Sequence, residues 1–306
     1  DVITMGIEAS KAALEMSGLP GPALESAFLG TGTNPYATKP SVTAILEALG
    51  TTPNVHCVDC QFAGKSGTAA LVAGLGLVKS GLASNSLVIG ADDLSRHVAP
   101  NDQQEYTASA GGVALVLGRD RVAAEVESIA TYVSETPEYF RLDGDRYIKI
   151  AGQVHDVRKV GYLKHTRAAI EDLLARTGLK PEEVTHAVLG QPDPDLPSTV
   201  AKEIGFTDAQ LRSGMLVEEI GDAGAASAFL GLCAVLDVAQ PGDRILVASY
   251  GIGAGSDAIL LRATSELPAV RRQRAGFPGV RQQIATRNRL DYKTYLRLER
   301  KMIQEN

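Results

Sequence analysis

The chain is written twice. "AALEMSGLPGPALESAFLG" (Ala12 to Gly30) resembles "AIEDLLARTGLKPEEVTHAVLG" (Ala169 to Gly190). Each stretch reads as an amphipathic helix, a glycine stop, a proline-containing turn and an apolar strand. Glycine just past a helix with proline close behind is the expected stop signal. Spacing agrees with composition: 12 residues separate Gly18 from Gly30, and 12 separate Gly178 from Gly190. Further along, "AGKSGTAAL" (63–71) aligns with "GDAGAASAF" (221–229), which sets Gly64 opposite Asp222. The next strands, "LVIG" from Leu87 and "ILVA" from Ile245, each begin 23 residues after those positions. Both copies close on a glycine-rich turn and another apolar strand, "GGVALVLG" (111–118) and "GSDAILL" (255–261).

A duplicated helix–strand–helix–strand–strand unit leaves few folds open. The second helix of each copy is built from small residues and is nearly uncharged, and a helix apolar on all sides is buried. Two such helices held between two sheets predict an α/β protein of five layers, helix–sheet–helix–sheet–helix. The halves are expected at 1–120 and 121–265, followed by a basic tail at 266–306. A further strand-like run, "AEVESIATYV" (124–133), precedes the second half. It has no counterpart in the first half, which is therefore expected to lack its first strand.

Charge separates the tail from the body. The formal net charge is −6, yet the stretch from Arg271 to Lys301 holds ten Lys or Arg against Asp291 and Glu299, a local +8 that leaves −14 elsewhere. An acidic body argues against general affinity for nucleic acid or anionic membrane. The basic tail points to an acidic partner surface or a phosphate-bearing ligand, with a solvated terminus as the plainer alternative. Three cysteines fit a reducing compartment, not a disulfide scaffold. Cys57 and Cys60 are three apart on a strand-like run and so face opposite sides, which excludes a zinc or redox pair there. With no apolar run of membrane-spanning length and no leader signature, a cytoplasmic location is expected.

Six motifs carry a family resemblance: "LGTGTNPYATKPS" (29–41), "QFAGKSGTAAL" (61–71), "EYTASAGGVALVLG" (105–118), "IGDAGAASAFLGLCAVLDVA" (220–239), "SYGIGAGSDAILL" (249–261) and "LDYKTYLRLERK" (290–301). Together they resemble the thiolase-fold condensing enzymes, in the branch of 3-hydroxy-3-methylglutaryl-CoA synthases and ketoacyl synthase III. "TNPY", "QFAGKSGT" and the 249–258 stretch are also similar to the non-catalytic subunit of bacterial 2,4-diacetylphloroglucinol acetyltransferase complexes. Such enzymes use a cysteine at a helix N-terminus, where the thiolate is stabilised, together with a histidine and, in the synthases, a glutamate. By this resemblance those positions fall on Gly64, Gly190 and Gly32, so no catalytic residue is expected at any of them. The position of a synthase asparagine falls on Asp222. Cys60 and Cys233 are weaker nucleophile candidates, placed within a strand and a buried helix.

Other residues are candidates for the pocket wall. Tyr36 and Lys39 lie in the loop ahead of a helix that Pro40 would open at N1. His165 is expected to begin a helix near the substrate entrance, in a capping or surface role. "YGIGAGS" (250–256) mimics a dinucleotide fingerprint but leads into a strand instead of a helix, so Tyr250 and Gly253 are read as pocket-shaping turn residues. No His/Asp/Glu cluster has metal-ligand spacing. The resemblance implies a disarmed architectural subunit of an acyltransferase complex. It would bind a thiolase-like catalytic subunit and a small OB-fold subunit carrying a zinc ribbon, with self-dimerisation as a further option. No cofactor is expected in this chain beyond an acyl-CoA-type thioester. The alternatives are a C–C lyase or synthase-like enzyme using Tyr36, Tyr106, Tyr250, Asp222 or His165, and a remnant that holds acyl-CoA without changing it.

Overall fold

The structure, a computed structural model, describes residues 1–136, 138–151, 154–274 and 276–302, with side chains for all of these except Tyr139 and residues 154–159. The first half runs α1 (Val2–Ser17), β1 (Ser26–Gly30), α2 (Val42–Ala48), β2 (His56–Cys60), α3 (Ser66–Ser80), β3 (Ser86–Asp93) and β4 (Ala110–Leu117). The second opens with β5 (Ala124–Val133) and the short pair β6 (Tyr139–Phe140) and β7 (Lys149–Ile150). It continues with α4 (Val154–Thr177), β8 (His186–Leu189), α5 (Asp195–Ile204), α6 (Asp208–Leu211) and α7 (Val217–Ile220). Then come α8 (Ser227–Leu236), β9 (Arg244–Ala248) and β10 (Gly255–Ala263). The tail folds as α9 (Leu267–Arg272), α10 (Val280–Ala285) and α11 (Tyr292–Leu298).

The repeat is visible in local geometry. Gly18 and Gly178 both close their helices with positive φ, 71° and 69°. In each half a one-turn helix opened by proline follows, and then the strand. One sheet has the order β2-β1-β3-β4 and the other β5-β10-β9-β8. β1–β3 and β8–β9 are parallel, while β4 and β10 run antiparallel to their partners. The equivalence breaks at the edges: β5 flanks β10, whereas β4 is the last strand of its sheet among the described residues.

Packing places the small-residue helices centrally. α3 lies on β1 and β3, α8 on β8 and β9 and also on β4, while α1 and α4 cover the outer faces. Buried Phe28, Leu71, Val188, Phe229 and Val247 form one shared core between the sheets. The halves meet backbone to backbone. A Cβ at Gly67 or Gly90 would lie 2.5 Å or 2.7 Å from the Ala225 carbonyl oxygen, so only glycine permits that seam. Cys57 packs on the outer core of the first half and Cys60 on the shared inner core, the opposed facing a strand imposes.

Two local expectations are corrected. Pro40 precedes the N-cap Ser41 and does not occupy N1 of α2. The tail does not float: Arg271 donates to the carbonyls of Leu236 and Ala239, and Arg274 pairs with Asp237.

Candidate active site

The segments that follow β2, β8 and β9 meet the 222–228 stretch at a pocket lined by Gly64, Gly190, Gln191, Pro192, Asp222, Tyr250 and Ile252. Its interior is only about 10 Å³, close to the space of one water. An acyl group is larger than this space, so its entry requires the lining to move apart.

Each glycine meets this pocket differently. Gly64 sits ahead of α3 with φ 73°, and a Cβ there would lie 2.1 Å from the Tyr250 carbonyl oxygen. Gly190 leaves somewhat more room, with the Tyr250 nitrogen 3.1 Å from a Cβ. At Gly32 the nearest atom would be the Ala63 Cα at an ordinary 3.4 Å. Gly32 is not in the lining. Its loop is held from beneath by Asp92, whose Oδ1 accepts from the Gly32 nitrogen, Thr31 Oγ1 and Thr33 Oγ1. Asp92 Oδ2 accepts from the Ala225 nitrogen of the other half. Burial pushes the Asp92 carboxyl up from its usual range, against the pull of these donors.

Among the other candidates, Asp222 is buried, and its Oδ1 accepts from the Gly224 nitrogen at 2.9 Å. The Tyr250 hydroxyl donates to the buried Glu138 carboxylate, and the Gly253 nitrogen donates to that hydroxyl at 3.3 Å. Gly253 shapes the turn with φ 82° and lies outside the lining. Tyr36 is 41% exposed beneath the Lys39 ammonium, away from the pocket, and Tyr106 is 92% exposed. His165 does not begin a helix. It lies deep within α4, fully buried, with Nε2 2.8 Å from Ser134 Oγ and its ring 6.4 Å from that of Tyr250. His155 lies outside the described side chains.

Sequence reasoning missed three polar anchors. Glu138 sits in a charged loop without periodicity. Gln191 bridges the Gly214 carbonyl and the Leu216 and Val217 nitrogens. Lys65 Nζ, fully buried, contacts both oxygens of Asp257 at 2.9 and 2.8 Å, while Thr68 and Thr131 also donate to that carboxylate. A pairing across 192 residues leaves no local signature.

The thiols are poor nucleophiles. Burial, then the Asp59 charge, raises the Cys60 pKa, and burial pushes Cys233 up to about 11 despite Arg274 nearby. Among the described residues no group of three His, Cys, Asp or Glu side chains is placed to hold a metal ion. Nor is any described helix long and apolar enough to cross a membrane.

Burial lowers the pKa of both His97 and His165, leaving their imidazoles neutral at pH 7. In the unfolded chain histidine titrates near about 6.5, so on acidification the unfolded state takes up protons first. Stability is therefore full above that value and is lost as pH falls toward the folded-state values. Urea midpoints measured between pH 7.5 and 5.5 should fall, with a shallower slope in a His165→Gln variant.

Two stacked α/β halves with helix N-termini aimed at a pocket where the halves meet define the thiolase-like condensing-enzyme fold. Residues 58–135 match the 3-oxoacyl-[acyl-carrier-protein (ACP)] synthase III family, and residues 174–263 match its C-terminal family. The chain is 38% identical over 299 residues to hydroxymethylglutaryl-CoA synthase of Methanosarcina mazei, covering 97% of this chain and 84% of that protein. With the enzyme of the same name from Methanosphaera stadtmanae it is 35% identical over 302 residues, 99% and 85% of the two chains. The solved structure of MvaS in complex with 3-hydroxy-3-methylglutaryl coenzyme A superposes with a TM-score of 0.85 at 18% identity, covering 97% and 80%. The chain belongs to the hydroxymethylglutaryl-CoA synthase family. This corrects the expectation of an architectural acetyltransferase subunit, because the curated relatives matched along almost the whole chain are synthases. The motifs cited for that complex lie within a chain whose full length follows the synthases.

Proposed function

We propose that this chain acts on acyl-CoA thioesters, making or breaking the C–C bond of a 3-hydroxyacyl-CoA such as 3-hydroxy-3-methylglutaryl-CoA. The proton transfers fall to side chains other than a cysteine, histidine and glutamate at the three glycine positions. In the cleaving direction a base takes the 3-hydroxyl proton. The C2–C3 bond then breaks with its electron pair passing into the thioester enolate, and an acid returns a proton to C2. Condensation runs these steps in reverse, joining C2 of acetyl-CoA to the ketone carbon of acetoacetate.

One observation supports this reading above the others: the hydroxyl of Tyr250, a pocket-lining residue, is hydrogen-bonded to a buried carboxylate. A phenol paired with Glu138 is a proton donor with an acceptor behind it, and Asp222 is a carboxylate in the pocket lining itself. Such positioned groups contribute roughly 10²–10⁴-fold to a reaction.

The test uses purified chain with 3-hydroxy-3-methylglutaryl-CoA, and separately with acetyl-CoA plus acetoacetate, following acyl-CoA species by chromatography. Conversion is expected in at least one direction, with Tyr250→Phe lowering kcat about 10²-fold while the circular dichroism spectrum is retained. No turnover in either direction at saturating thioester rejects the reading.

A further inference from the structure

A second cavity, of about 420 Å³, opens beyond the end of β3 and shares no lining residue with the first. Its wall brings together Arg96 and His97 after β3, Arg146 ahead of α4, and Arg300 from the tail. Three cations from distant segments thus meet at one concavity, and the tail supplies one of them. Among the described residues the guanidinium groups of Arg96 and Arg300 have no hydrogen bond or ion pair, although the Arg300 backbone nitrogen donates to the Arg297 carbonyl. Arg146 spends one Nη on the Glu299 carbonyl at 2.8 Å.

The wall also contains carboxylates, two of which are already engaged. Asp1 accepts from the Ile3 and Thr4 nitrogens, and Asp93 accepts from Ser95 Oγ. Glu299 stands beside Arg300. Arg300 is held at φ 53°, an uncommon left-handed conformation for a non-glycine residue, of the kind that clusters at ligand sites. Guanidinium groups present a planar fork suited to phosphate oxygens, and those of Arg96 and Arg300 are uncommitted to any described side chain.

We infer that this cavity is a binding site for a phosphate group, gripped by Arg96, Arg146 and Arg300. A space of that size accommodates a diphosphate or the nucleotide end of a larger ligand. Two sources share that chemistry: the phosphorylated end of an acyl-CoA, which rests on the function proposed above, and a separate phosphate ester, which does not.

The test titrates inorganic pyrophosphate into the full chain by calorimetry, then repeats it with CoA present and with pantetheine, which lacks phosphates. Binding is expected to weaken about tenfold or more in an Arg96→Ala/Arg300→Ala variant and to be unchanged in Arg297→Ala, an exposed tail arginine outside the cavity. Displacement of pyrophosphate by CoA but not by pantetheine assigns the site to the CoA end. Pyrophosphate binding that CoA leaves untouched assigns it to a separate phosphate ester, whatever the acyl-CoA assays give. Absence of pyrophosphate binding, or binding that the double variant does not weaken, overturns the inference.

Discussion

Replacing Gly64 with alanine is expected to lower the melting temperature by about 3–6 °C, corresponding to roughly 2–4 kcal/mol. Two causes add. With φ at 73°, any Cβ costs about 1–2 kcal/mol in the left-handed region. That Cβ would also lie 2.1 Å from the Tyr250 carbonyl oxygen, a backbone atom that yields only if the whole 250–254 turn moves. Forcing atoms into a packed interior typically costs about 1–3 kcal/mol. Gly64→Cys carries the same penalty, so restoring a thiol alone does not restore a working nucleophile. Gly32→Ala is the control, since its Cβ meets nothing nearer than 3.4 Å and its melting point should stay near wild type. A Gly64→Ala variant as stable as the parent would show that the turn readily gives way.

A larger loss is expected from Lys65→Met, about 3–5 kcal/mol by urea denaturation. The substitution keeps the side chain's length but removes an ammonium that contacts both oxygens of Asp257, a carboxylate that is 2% exposed. Thr68 and Thr131 still donate to Asp257, yet neither hydroxyl carries charge. An unpaired buried anion accounts for most of the cost, so a second change that neutralises it should return much of the stability. The variant Lys65→Met/Asp257→Asn removes the charge, keeps an acceptor oxygen for one threonine and turns an amide donor toward the other hydroxyl, and is expected to recover more than half of the loss. The nonadditivity, measured as a double-mutant cycle, reports the coupling of the two halves directly. Additive losses would mean that the pair does not act as a unit.

How much of this was readable in advance depended on sequence distance. The duplicated spacing from Gly18 to Gly30 and Gly178 to Gly190 is a local signal, and the helices, turns and strands follow it within a residue or two. The identity of the central helices was legible for the same reason: α3 and α8 lack a polar face. What escaped were pairings between remote segments. Asp92 reads as one of two adjacent acids on a strand end, and nothing nearby announces that it will hold loops from both halves. Glu138 looks like loop charge until Tyr250 reaches it. His165 reads as the start of a helix, with a capping or surface role, whereas α4 begins eleven residues earlier, at Val154, and buries it. Tyr36 was nominated by its motif, but loop geometry turns it toward Lys39 and solvent. The functional expectation failed differently. Glycine at three positions says what chemistry is absent there, whereas similarity along nearly the whole chain is what assigns the family.

The seam at Gly67, Gly90 and Ala225 has a consequence for how such a protein ages. Its contour is drawn by main-chain atoms, which mutation leaves in place, so the doorway keeps its outline while the furniture behind it is exchanged. A methyl added at Gly67 or Gly90 would run into the Ala225 carbonyl and force the two halves apart.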